Sequence, residues 1–176
     1  MEAGPKDGAR AARFGAGARF AARFGGLAIA LLAVYYFPYT DRTRAVIEEY
    51  LALYARLAAA VLRLFDPTIT VAHRVIQGRF SLQIVKTCDA MDVTILLVSA
   101  ILAWPGAWKT KLAAALAATA MIFATNVLRI CSLYYVGIYK PSSFDFIHLE
   151  LWPAAIVLIA VGYFWVYTER TRTRPA

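Results

Sequence analysis

Residues 112–133 read LAAALAATAMIFATNVLRICSL. A helix crosses the roughly 30 Å hydrocarbon layer of a bilayer with about 20 predominantly apolar residues. This run is that long and carries a single charge, Arg129. The chain on either side repeats the pattern. Residues 90–108 hold one charge, Asp92, and close on Pro105-Gly106, a turn that sends the chain back beside the next helix. Residues 24–39 and 151–168 carry no charge. The stretch 24–39 is short for a span, and Phe20 with a snorkelling Arg23 would lengthen it.

Composition agrees with four membrane helices. Hydrophobic residues make up 61% of the 176 and charged residues 17%, against about 45–50% and 25% in soluble domains. A soluble globule this small could not hide that apolar surface. Disorder needs low hydrophobicity, and two cysteines are too few for a disulfide-built scaffold. The net charge of +8 does not indicate a nucleic-acid partner. The basic residues cluster beside the apolar runs, where they set orientation in a bilayer.

With a cytoplasmic N-terminus and four crossings, Lys109, Lys111, Arg170, Arg172 and Arg174 all fall inside, as the positive-inside rule asks. The chain then divides into a basic cytoplasmic tail (1–23), a membrane-embedded domain (24–168) with an external segment (41–87), and a second basic tail (169–176). The loop 134–150 also lies outside. The first tail is a low-complexity stretch with Arg-Phe at Arg13, Arg19 and Arg23, and has little reason to fold alone. No small-residue cleavage pattern follows Phe37-Pro38-Tyr39, so the first apolar run reads as an uncleaved anchor.

The external segment has two parts. Residues 45–65 are apolar enough to cross, yet Glu49, Arg56 and Arg63 recur every seven residues on one helical face, with Glu48 beside them. Such a helix lies along the membrane surface. A crossing would throw the Lys109 loop and the C-terminus outside, against the charge rule. In 68–86, Ile69, Val71, His73 and Val75 alternate with other residues, as do Phe80, Leu82 and Ile84, and Gly78 lies between the two runs. Period-two patterning about a glycine predicts a two-stranded hairpin, packed on the helices for support. The expected fold is an all-α integral membrane protein with about four transmembrane helices, an interfacial amphipathic helix and a short external β-hairpin.

This topology gathers three reactive side chains at one face. Cys88 lies where the second spanning helix begins outside, Arg129 near the outer end of the third, and His148 just before the fourth. The orphan N–H groups of a helix N-terminus favour a thiolate. A histidine in reach takes the proton and returns it to a leaving amine. An arginine either adds to the stabilisation of the thiolate or donates to an oxyanion. An intramembrane charge is costly and is functional by default. Together the three suit acyl transfer through a thioester.

Other readings stay open at this point. Cys131 reads as core and His73 as structural. Asp92, one turn below Cys88, and Asp89 could each pair with Arg129 or oppose the thiolate. A Cys88–Cys131 disulfide would silence the nucleophile. Cys88, Cys131, His73 and His148 lack the close spacing of a zinc motif, so no metal and no cofactor is expected. A non-catalytic membrane assembly or channel subunit, or a lipid-acyl transferase using the same thiol, are the rival functions.

The motifs resemble the exosortase/archaeosortase family of membrane-embedded cysteine transpeptidases. Thr-Cys-Asp-Ala-Met-Asp at 87–92 opens a membrane helix, Asn126-Val-Leu-Arg129 is close to an Asn-x-x-Arg pattern, and Phe144-Asp-Phe-Ile-His148 precedes the last helix. The likeness runs from about residue 35 to 168. Compact size, Phe-Asp-x-x-His and Pro38-Tyr39-Thr40 look most like the H type. One departure is Asp89-Ala90, where the family usually shows a small or amide residue and often glycine next. The resemblance implies a bacterial inner-membrane sorting protease or transpeptidase with its site on the periplasmic side. Cys88, Arg129 and His148 would be catalytic, with Asn126 orienting Arg129 and Asp92 in support. Its substrates would be exported proteins with a C-terminal motif, a spanning helix and an Arg-rich tail. That helix would pack on the alanine-rich face 113–120.

Overall fold

The structure, a computed structural model, describes residues 5–37 and 40–172. Pro38 and Tyr39 of the Pro-Tyr-Thr segment, and Arg174 of the C-terminal tail, lie outside the described residues. Helix α1 is Pro5–Tyr36 and α2 is Asp41–Leu62. Strands β1 (Thr70–Ala72), β2 (Val75–Gln77) and β3 (Leu82–Gln83) follow, then a 3₁₀ turn at Lys86–Cys88. Helix α3 is Met91–Ala103 and α4 is Trp108–Tyr139. After a 3₁₀ turn, short α5 (Phe144–Phe146) and a π turn (Ile147–Leu151) run into α6 (Trp152–Arg172).

Among the described residues, three helices are long and apolar enough to cross a membrane, over Gly17–Tyr36, Trp108–Tyr139 and Pro141–Arg172. The remaining apolar run gives α3, whose 13 residues span roughly 20 Å. Its ends explain its length. Ala90 is left-handed, with φ 56°, so the helix starts at Met91. Trp104 is extended (φ −66°, ψ 144°), as the residue before a proline prefers. Helix α3 packs among α1, α4 and α6.

The N-terminal stretch departs from expectation, since α1 is helical from Pro5 rather than from residue 24. Alanine and arginine are strong helix formers and outweigh its glycines, and proline suits a first turn. Phe20 then fastens the middle of α1, with ring centroids 5.7 Å from Trp104 and 6.5 Å from Phe164.

Helix α2 starts at a capping box, in which Thr43 N donates to Thr40 Oγ1 and Thr40 N to Thr43 Oγ1, each at 3.2 Å. It has three faces. Leu51, Tyr54, Ala55, Ala58 and Leu62 are buried in a core shared with α4 and the sheet. Val46, Leu53, Leu57, Val61 and Leu64 are exposed. Glu49, Arg56 and Arg63 line a polar cleft of about 300 Å³ beside Val71 and His73.

The hairpin is a three-stranded antiparallel sheet in the order β1-β2-β3, not the expected two strands. Residues 69–77 alternate as one strand would, but His73, at φ 54°, turns the chain between β1 and β2. The alternation passes through that tight turn unbroken, so the pattern conceals it. A second core cluster, of Leu97, Ile101, Ala115, Ala118, Ile122 and Ile156, fills the space between α3, α4 and α6. Ala115 and Ala118 are therefore occupied by the chain's own packing, while Ala113, Ala117 and Ala120 face outward.

Candidate active site

Cys88 ends the 3₁₀ turn that follows β3, and its N–H donates to Val85 O at 2.8 Å. The side chain is 9% exposed. Its Sγ lies 3.1 Å from His148 Nε2. His148 sits in the π turn at the head of α6, a widened turn that recurs at functional sites. With the ring proton on Nδ1, Nε2 accepts from the thiol. Arg129, on α4 and only 4% exposed, donates from Nη2 to His148 O at 3.1 Å. The guanidinium thereby fixes the backbone that carries the imidazole. Arg129 Nε is buried with no hydrogen-bond partner among the described residues.

The structure thus brings together Cys88, Arg129 and His148, from the start of α3, the middle of α4 and the head of α6. A cavity of about 260 Å³ opens on all three. Residues 80–85 form one wall, and Ile130, Leu133 and Phe144 stand across from them. Both cysteines are free, so no Cys88–Cys131 disulfide forms. Cys131 is buried, with Sγ 3.7 Å from Ala58 O. His73 is at the β1–β2 turn, 3.6 Å from Glu48.

Two supporting residues are placed differently from expectation. Asn126, one turn before Arg129, is fully buried and donates from Nδ2 to Cys88 O at 2.9 Å. It holds the carbonyl of Cys88 rather than the arginine. Asp92 turns from the thiol towards α1, where Tyr36 Oη lies 2.8 Å from each carboxylate oxygen. Neither Asp92 nor Asp89 forms an ion pair with Arg129 among the described residues.

A shell of tyrosines escaped the sequence reading. Tyr35 donates to Asp89 Oδ2, Tyr54 Oη to Asp89 O at 3.1 Å, and Tyr50 Oη to Tyr54 Oη at 3.0 Å. Met91 N–H donates to Asp89 Oδ1 at 2.9 Å. Asp89, 2% exposed, is therefore a structural hub beside Cys88. Burial pushes its carboxyl above the usual range, against the hydrogen bonds from Tyr35 and Met91. Lys86 completes the clamp, with Nζ donating to Tyr35 O at 3.3 Å and lying 5.0 Å above the Tyr35 ring. The available signal was the pair Tyr35-Tyr36 at the end of an apolar run, where interfacial aromatics collect.

A thiol in contact with an imidazole that is itself backbone-anchored can act as a nucleophile with its own base. Comparison with known proteins adds one finding. The family model described as transmembrane exosortase (Exosortase_EpsH) matches residues 10–165. No curated protein and no solved structure matches the chain.

Proposed function

The chain belongs to the transmembrane exosortase family, and from that premise we propose that it is a cysteine protease or transpeptidase that cleaves the C-terminal sorting signal of exported proteins. Family membership supports a membrane-embedded protein-sorting enzyme acting on exported proteins. The observation that carries the finer reading is the 3.1 Å approach of Cys88 Sγ to His148 Nε2 beside a buried arginine.

In this reading the thiol proton passes to His148 Nε2 and Sγ attacks the scissile carbonyl carbon. The oxyanion takes a hydrogen bond from the guanidinium of Arg129, which lines the same cavity as Cys88 and His148. Collapse of the tetrahedral intermediate breaks the C–N bond, and His148 gives its proton to the leaving amine. The acyl group remains on Cys88 as a thioester. An acceptor amine or water then loses a proton to His148, attacks that carbonyl and releases the thiolate, which regains the proton. Every role in this sequence of steps is assigned to a side chain of Cys88, Arg129 or His148. Four crossings with the N-terminus in the cytoplasm put this site at the periplasmic face of a bacterial inner membrane, α3 being the short crossing. The substrate's own spanning helix packs against Ala113, Ala117 and Ala120.

The test is processing of a tagged exported protein that carries a C-terminal signal. Cys88→Ala and Cys88→Ser each abolish cleavage if the reading holds. Unchanged processing in both variants removes the mechanism. Normal processing with loss of lipid labelling would move the thiol's role to acyl transfer onto lipid.

A further inference from the structure

The free edge of β3 runs into the cavity that holds Cys88. Ile84 N–H donates to Arg74 O at 2.9 Å, and the register pairs Ile76 with Leu82 and Val75 with Gln83. Bonded and non-bonded pairs alternate in an antiparallel ladder. Leu82 and Ile84 therefore turn their peptide groups to β2. Gln83 turns both N–H and C=O the other way, joined by Ser81 C=O and Val85 N–H. No strand among the described residues meets them, because β3 is the last in the sheet. The side chains of Leu82 and Ile84 are buried, while those of Ser81, Gln83 and Val85 are exposed.

An open strand edge is ordinarily bulged, charged or covered. Here it is a cavity wall, lined without interruption by residues 80–85, with Cys88 and His148 in the same cavity. The occupant that matches a row of unpaired peptide donors and acceptors ending at a nucleophile is an extended polypeptide. We propose that the substrate segment preceding the scissile bond adds to β3 as a fourth strand, which delivers its carbonyl to Cys88. This rests on the sorting reading above.

The direction of the added strand also follows. Phe80, two residues before β3, lies on Gly137, while Cys88 O takes the amide of Asn126. Those α4 positions are separated by roughly 16 Å of helix rise. The edge therefore descends α4 from its outer end towards its middle. A substrate whose exported part precedes the cut and whose spanning helix follows it runs the same way, so the pairing is parallel. Backbone bonds would supply affinity, and alternate side chains specificity.

Disulfide trapping tests this in membranes from cells making the full-length protein with the Cys88→Ser and Cys131→Ser changes. Ser81→Cys or Gln83→Cys is combined with single cysteines at successive positions of the tagged substrate. Cross-links at every second substrate position are expected. Moving the enzyme cysteine from 83 to 81 should shift the pattern two residues towards the substrate's N-terminus. Cross-linking without two-residue alternation, no cross-link at all, or a shift towards the C-terminus overturns the parallel added strand. The sorting reading then still stands if the unmodified enzyme cleaves the same substrate in a Cys88-dependent way. If it does not, the sorting reading fails, and the added strand fails with it.

Discussion

Ala90 holds a left-handed conformation, φ 56° and ψ 21°, between the turn that carries Cys88 and α3. A side chain there costs about 1–2 kcal/mol, which glycine escapes. Alanine at position 90 is therefore a small strain beside Cys88. Ala90→Gly should raise stability by up to about 1 kcal/mol, and Ala90→Val should lower it by more, read as thermal unfolding in detergent. A second prediction concerns Asp89. Tyr35→Phe removes a donor from a buried carboxyl and should cost about 1–3 kcal/mol. Because burial already holds the folded carboxyl above its unfolded pKa, ionisation on raising the pH works against the fold. The Tyr35→Phe loss should thus be largest near neutrality and shrink as acid protonates Asp89. Denaturation at several pH values reads this, and a pH-independent loss would show that Tyr35 acts through packing alone. A third concerns the reaction. Arg129→Lys keeps the charge but not the planar fork, so turnover should fall about 10²–10³-fold with little change in KM, measured on the tagged substrate. Cys88, Arg129 and His148 were legible because short motifs carry them at matching depth. The tyrosines were not, since Tyr35 and Tyr54 reach Asp89 across 54 and 35 residues, a relation set only by helix packing.

Elements show the same division between local pattern and tertiary constraint. The long apolar helices were plain in the sequence because length and absence of charge suffice to define them. The shortness of α3 was not, because it depends on two backbone angles, at Ala90 and Trp104. The split of β1 from β2 depends on one more, at His73. What seats the sheet on α4 is the absence of a side chain at Gly137, where an added Cβ would lie 2.6 Å from the Phe80 ring. That ring also packs against Tyr134 and Phe144, with centroids 6.4 and 5.6 Å away, so it has little freedom to retreat. Gly137→Ala should cost about 1–3 kcal/mol as an overpacked contact. It should also reduce cleavage more than stability alone explains, because Phe80 begins the cavity wall that leads to Cys88. Unfolding and processing measured on the same variant separate the two effects. Equal loss in both would mean that the contact is purely structural.

For the whole molecule, the sheet decides where α2 can lie. Both ends of α2 touch the same small sheet: Glu48 pairs with Arg74 Nε at 3.0 Å, and Arg63 Nε donates to Ile69 O at 2.8 Å. Between those contacts α2 advances roughly 22 Å, most of a hydrocarbon layer. If α2 crossed the bilayer, the sheet beside it would sit at membrane depth with the peptide groups of β3 unpaired at its edge. Such an edge is tolerated at that depth only where it is shielded from lipid, as in a cavity, because each unsatisfied group facing lipid costs several kcal/mol. The polar stripe agrees, since Arg56 and Glu49 form a 3.0 Å ion pair with both side chains more than half exposed. In the proposed topology α2 lies on the surface, the loop carrying Lys109 and the Arg170–Arg172 end share the cytoplasmic side, and the candidate site opens outward. Single cysteines in a Cys88→Ser, Cys131→Ser background test this. Glu49→Cys and Arg56→Cys should both react with a membrane-impermeant maleimide in intact spheroplasts. Thr110→Cys, exposed at the start of α4, should react only after permeabilisation. A crossing α2 would reverse the order, bringing Thr110→Cys outside.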